Sequence, residues 1–286
     1  MPVEKAWRVV MNLDFSAPLV MAIVNCNGDS FYEHSRAIST ESAVKKALQA
    51  ESDGADIIDF GGESTRPGAE YVSEDEELSR VLPVVEGFRQ RSCLPISVDT
   101  RKATVAQAVL RAGADIINDI SAMEDDCDMA RVCAVYGAYV VLMHKKGVPK
   151  TMQNTSFGGE SFYEDVVSEV VAYLRTAAER VKAEGVAGDR VILDPGIGFG
   201  KSAEDNIALI RELARIRAVG YPILIGLSRK SVIGRITGRD VAHRLAGTLA
   251  ANAISIGLGA NIIRVHDTRE HIDLIKVFKS CARAER

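Results

Sequence analysis

The chain has no cysteine pair at metal or redox spacing: its five cysteines, at 26, 93, 127, 133 and 281, include no CxxC motif. An odd, scattered set argues against a disulfide framework and fits reduced thiols packed as small hydrophobes, with Cys26 inert, in a cytoplasmic protein. Nor is there a basic excess. Lys and Arg number 35 against 39 acidic residues, a net charge of -4, which argues against a general nucleic-acid binder but leaves room for a local basic pocket. Long apolar runs are missing as well. The most apolar region, 245–263, is broken by Thr248, Asn252, Ser255 and several glycines, and reads as a buried helix plus strand rather than a membrane span. Residues 1–18 carry Glu4, Lys5, Arg8 and Asp14 and have no signal-peptide core. With no linker or low-complexity segment, the expected organisation is an N-terminal extension over 1–18 and one domain over 19–286.

What is present is alternation. With 47% hydrophobic residues the chain can bury a large core, and short apolar runs recur between amphipathic stretches. Candidate strands are Leu19 to Val24, Ile57 to Phe60, Ile96 to Val98, Ile116 to Ile117, Tyr139 to Met143, Val191 to Leu193, Ile223 to Ile225 and Ile262 to Val265. Each precedes a helical pattern, the clearest running from Tyr163 to Val181 and stopped by Gly185. Helix starts are legible at Ser73 with Glu76 and at Ser202 with Asp205. Strands apolar on both faces and alternating with helices imply a parallel sheet covered by helices. Eight such units predict a single (β/α)8 TIM barrel, an α/β fold, with residues 7–13 forming a short strand across the barrel bottom.

In that fold the chemistry sits past the carboxyl ends of the strands. Those positions carry Asn25, the run 61–66, Asp99, Asn118-Asp119, His144-Lys145, Asp194, the run 228–231 and His266-Asp267, with Arg264 inside the last strand. Arg66, Arg229, Lys230, Arg264 and His266 form a positive set suited to phosphate oxygens. Asp99, Asn118 and Asp194 have no metal-ligand spacing; buried acceptors of this kind suit a planar heterocycle bearing amino and ring N–H donors. A heterocycle with a phosphate tail satisfies both sets. Taken singly, Asp99, Asn118 and Asp267 read equally well as helix caps, and His144 as a packed neighbour of the barrel. His34, His243 and His271 lie away from the strand ends. The stretch LDPGIGFGK, 193–201, misses a Walker-type loop by one residue, having Pro195 where that loop needs glycine.

The stretches GGESTRPG (61–68), PISVDTRK (95–102), ADIINDIS (114–121), LDPGIGFGK (193–201), GLSRKSVIG (226–234) and RVHD (264–267) together resemble the dihydropteroate synthase family of folate biosynthesis, in the right order from about Leu19 onward. The resemblance implies a transferase joining 6-hydroxymethyl-7,8-dihydropterin pyrophosphate to 4-aminobenzoate. It implies that Asp99, Asn118, Asp194 and Lys230 hold the pterin, and that Asn25, Arg66, Arg264 and His266 hold the pyrophosphate with Mg2+ bridging Asn25 and phosphate oxygens. Asn25, Lys230, Arg264 and His266 would carry the catalysis. Thr65, Arg66, Pro67, Phe199 and Ser231 would border the aminobenzoate, and the family implies a homodimer. Three departures stand out: Cys26-Asn27-Gly28 replaces the usual Val-Thr-Pro of the first loop, Lys145 stands where a second Met is common, and Ala122 where glycine is usual. A non-catalytic pterin-binding paralogue and a methyltetrahydrofolate methyltransferase are the rival readings. Alanine at Lys230 or Arg264 is expected to leave the fold intact.

Overall fold

The computed structural model describes residues 11–26, 33–63, 71–147 and 162–281, with side chains from residue 39 onward in the first helix. Eight strands form one sheet: β1 Leu19–Asn25, β2 Ile57–Gly61, β3 Ile96–Asp99, β4 Ile116–Asp119, β5 Tyr139–Met143, β6 Val191–Asp194, β7 Leu224–Ile225 and β8 Ile262–Val265. Each is rich in Val and Ile, which suit a pleated strand packed on both faces. Their order is β6-β5-β4-β3-β2-β1-β8-β7, all pairs are parallel, and a parallel bridge between Leu193 and Ile223 joins the two ends. The sheet is therefore a closed barrel. The eight sequence-derived strands agree with it to within a residue or two at each end.

The helices that follow are α1 Glu33–Ser52, α2 Glu74–Arg89, α3 Ala103–Ala112, α4 Met129–Tyr136, α5 Val166–Ala183, α6 Ala203–Arg211, α7 Leu213–Arg217, α8 Ser231–Thr237, α9 Leu245–Gly257 and α10 Thr268–Cys281. Their starts obey the expected chemistry. Ser73 accepts from the Glu76 amide at the head of α2, and Ser202 and Asp205 close a full capping box on α6, satisfying amides that have no partner within the helix. Tyr163 lies ahead of α5 rather than in it; its hydroxyl donates to Gly200 O, so a long-range contact overrides the helical spacing.

Two-residue periodicity decides what faces inward. Met21, Ile57, Ile116, Tyr139, Val141, Ile192, Leu224 and Ile262 fill the barrel interior, while Ile58, Phe60, Val98, Ile117, Leu142 and Leu193 face the helices. Register carries that parity upward. Ile23 pairs with Asp59 and Asn25 with Gly61, Asp59 with Ser97 and Gly61 with Asp99, Asp99 with Asn118, and Met143 with Asp194. The polar inward positions thus form the layers above the apolar ones.

The bottom is closed by the extension. Leu13, Phe15 and Leu19 pack against the interior cluster, and the Leu13 amide donates to the Tyr139 hydroxyl at 3.0 Å. Arg190 lies over the Tyr139 ring and donates to Met11 O and Asn12 Oδ1. Residues 11–13 form no strand: their polar groups are met by side chains instead of a sheet edge. Residues 7–10 of the expected strand lie outside the described residues.

Candidate active site

Asp99, Asn118, Asp194 and Arg264 converge on the inner wall at the carboxyl ends of β3, β4, β6 and β8. Arg264 lies between two carboxylates: its Nε donates to Asp59 Oδ2 at 2.6 Å and its Nη2 to Asp99 Oδ2 at 3.1 Å. Burial works against the guanidinium charge, but Asp59 and Asp99 more than offset it and hold the Arg264 pKa above its ordinary value. The Asp99 pKa is raised too, which for a carboxyl favours the neutral form: burial outweighs the attraction of Arg264. Asp194 is likewise raised by burial, against the opposing pull of Lys230 and of the Gly196 amide, which donates to Oδ1 at 2.7 Å. Buried carboxyls of this kind gain from any ligand that brings N–H donors.

Lys230, the N-cap of α8, reaches across to donate to Ile197 O at 2.6 Å and lies 4.7 Å from the centroid of the Phe199 ring. Burial lowers its pKa to about 8, with Asp194 resisting. His266 is exposed at the rim and its Nδ1 lies 3.0 Å from Ser228 Oγ. Ser231 opens α8 and is half-buried. Asn25 ends β1 with its side chain exposed. Thr65, Arg66 and Pro67, and the altered residues 27–28 of the first loop, lie outside the described residues.

The structure reassigns one cation of the positive set. Arg229 donates through Nε and Nη2 to the two oxygens of Asp267, at 2.9 and 2.5 Å, so its charge is met by a neighbouring loop and does not await a phosphate. That pairing also uses the Asp267 carboxylate that could have capped α10. His144 is a packed neighbour of the barrel. It lies against Tyr163 and Tyr173, and burial lowers its pKa to about 3, leaving the imidazole neutral. Cys26 is buried, with a thiol pushed up to about 12 by burial, and is inert for the same reason.

The glycine-rich turn after β6 is a packing device. Gly196 has φ of +69°, and a Cβ there would lie 1.9 Å from His144 O; at Gly200 the corresponding distance to Lys146 O is 2.0 Å. The loop therefore runs backbone to backbone against the chain after β5. Lys201 fastens this contact: its buried ammonium donates to His144 O, Gly196 O and Phe199 O at 3.1, 2.9 and 3.2 Å. Three donors meet three carbonyls. The lysine that mimics a phosphate-loop residue has none left for a phosphate.

Two residues escaped the sequence reading. Lys201 was visible only as part of a failed motif. Asp59, fully buried in β2, accepts from Ser97 Oγ at 2.6 Å and from Asn118 Nδ2 at 3.5 Å in addition to Arg264. Its signal was present in IIDFG, an acidic residue inside a buried strand, at the parity that faces inward. Charged residues also link the second and third loops. Glu63 accepts from Arg101 and Lys102, Lys102 also pairs with buried Glu77, and Arg101 and Lys145 share Asp125. Lys145, the departure in the fifth loop, thus has a defined partner.

Residues 21–266 match the family described as "Pterin binding enzyme". The dihydropteroate synthase of Escherichia coli K12 is 42% identical over 274 residues, covering 96% of this chain and 95% of its own. Among solved structures, the Xanthomonas albilineans dihydropteroate synthase with 4-aminobenzoic acid has a TM-score of 0.86 at 39% identity, covering 95% of this chain and 96% of its own. The same enzyme in complex with 7,8-dihydropteroate has a TM-score of 0.83 at 36% identity, with the same coverage.

Proposed function

We infer the reaction from one premise: the chain belongs to the dihydropteroate synthases of the pterin-binding enzyme family. It condenses 6-hydroxymethyl-7,8-dihydropterin pyrophosphate with 4-aminobenzoate, forming 7,8-dihydropteroate and pyrophosphate. The observation that carries this reading is the meeting of Asp99, Asn118 and Asp194 with Lys230 and Arg264 at one mouth of the barrel.

The chemistry follows from those groups. Asp194, Asp99 and the Asn118 amide face donors on the pterin edge, which relieves the burial that raises both carboxyls. Lys230 borders the ring, and Phe199 borders the aminobenzoate. The bond between the exocyclic methylene and the pyrophosphate oxygen breaks, the electron pair leaves with pyrophosphate, and the aniline nitrogen bonds to the methylene carbon and loses a proton. Arg264 and His266 face the departing charge, which is the largest electrostatic change in the reaction. The chain holds no covalent intermediate; it positions and neutralises.

Mg2+ fits the donor set in a limited way. Asn25 offers one neutral oxygen at the exposed end of β1. The convergent group Asp126, Cys127 and Asp128 belongs instead to the connection before α4, where Asp126 already accepts from the Ala103 and Asp128 amides. A cation held by one protein oxygen arrives chiefly through substrate phosphates, as Mg2+ commonly does; bound there it would supply charge to the leaving group. A homodimer and a cytoplasmic setting complete the proposal. Among the described residues no helix is long and apolar enough to cross a membrane, and the exposed Ile254 and Val277 on α9 and α10 are consistent with a covered face.

The test is pyrophosphate release with both substrates, repeated without 4-aminobenzoate and with EDTA. Release requiring both the acceptor and the metal is expected. Pterin binding without release would overturn the reading. EDTA is expected to leave the affinity for a pterin lacking phosphates unchanged, measured by calorimetry.

A further inference from the structure

Arg264 is the residue on which the two halves of the site meet, and its orientation is set from below. Three of Asp59's contacts are to side chains on three other strands: Ser97 on β3, Asn118 on β4 and Arg264 on β8. Two of those, Asn118 and Arg264, are site residues, and the third lies one inward step below Asp99. The carboxylate is fully buried, so it cannot itself meet a substrate that enters from the rim. A buried carboxylate needs a cation and donors to be tolerated, and here the cation is Arg264, set within β8. With Nε and Nη2 both on Asp59 Oδ2 and Nη2 also on Asp99, the nitrogen of Arg264 left for a ligand among the described residues is Nη1.

We propose that Asp59 is a positioning residue for the leaving-group site: it grips Arg264 by its Nε edge and so fixes Nη1 as the donor offered to pyrophosphate. This rests on the dihydropteroate synthase reading for the identity of the anion. Asp99 is the weaker of Arg264's two holds, at 3.1 against 2.6 Å. When pterin donors compete for Asp99, Asp59 is the hold that remains. Without it the guanidinium keeps its charge but loses its aim. Partners that orient a ligating side chain from behind typically cost 10- to 100-fold in affinity or activity when removed.

The test is a double-mutant cycle with Asp59→Asn and Arg264→Ala, assayed in the full chain. Asp59→Asn keeps the volume and can still meet Ser97. It is expected to lower kcat about 30-fold and weaken inorganic pyrophosphate binding, measured by calorimetry, about tenfold. The KM for 4-aminobenzoate should stay within about twofold, a split that general loosening of the fold would not give. In the Arg264→Ala background the same change should have no further effect on either quantity, because a residue acting through Arg264 is silent once Arg264 is gone. Additive losses, or equal weakening of 4-aminobenzoate and pyrophosphate, would overturn the proposal. Should Asp59→Asn fold poorly, Arg264→Lys provides the second arm: it keeps a charge near Asp59 but has no fork, and is expected to lose pyrophosphate affinity to a similar degree. The calorimetric cycle needs no turnover. An inactive wild type that binds pyrophosphate with these couplings would therefore refute the proposed reaction and leave the role of Asp59 standing.

Discussion

Arg264 has 21% of its side chain exposed but answers a carboxylate with none, and this inverts one expectation. The sequence alone predicts that its loss leaves the fold intact. Arg264→Ala strands Asp59 as a buried charge, which costs about 3–5 kcal/mol when one partner of a buried pair is removed. A lower Tm by thermal melt is therefore expected, partly restored by adding Asp59→Asn. Lys230 is the contrasting case. Its ammonium bonds a single described carbonyl and is placed for substrate, so Lys230→Ala should retain its circular-dichroism spectrum while turnover falls 100-fold or more. Its charge also sets a pH limit. The ammonium is present below its lowered pKa of about 8, so kcat/KM should fall as pH rises through that value rather than near the ordinary lysine range. A profile flat to pH 10 would contradict that assignment. Of the site residues, those ending strands were legible because the barrel rule points at them. Asp59 was not, because its role depends on which of two faces a strand residue takes.

The glycine-rich turn shows how an element can be misread by motif and understood by contact. Gly196→Ala places a Cβ 1.9 Å from His144 O at a left-handed φ, so the clash and the backbone strain add. The main chain after β5 or β6 must shift, moving Asp194 or Phe199 with it. Gly137, at the end of α4, also has positive φ but no atom within 4 Å of a Cβ. There alanine bears only the conformational cost, about 1–2 kcal/mol. Urea melts should therefore separate the two, Gly196→Ala losing several kcal/mol more, and only Gly196→Ala should lose pterin affinity. The strands and capped helices were legible from alternation and from Ser–Glu and Ser–Asp spacing. That a lysine seven places beyond Asp194 would be spent on three carbonyls was not, since that depends on two loops meeting.

At the scale of the whole molecule, the barrel was recoverable because its eight units repeat one local rule, and the extension's place at the bottom followed from it, while the contacts that make the closure did not. The extension's grip comes from Arg190 and Tyr139, residues about 126 to 179 positions away from their partners, and no local pattern announces it. That closure, with the apolar packing above it, leaves the site, among the described residues, open at the carboxyl end of the barrel. The groups assigned to the pterin lie deepest, on strands, whereas Ser231 and His266 stand at the threshold. Traffic must then queue: whatever occupies the outer place bars passage to and from the inner one. Dihydropteroate should accordingly inhibit competitively against the pterin substrate, and excess 4-aminobenzoate should slow pterin entry in stopped-flow binding. Barrel architecture alone would dictate who enters first.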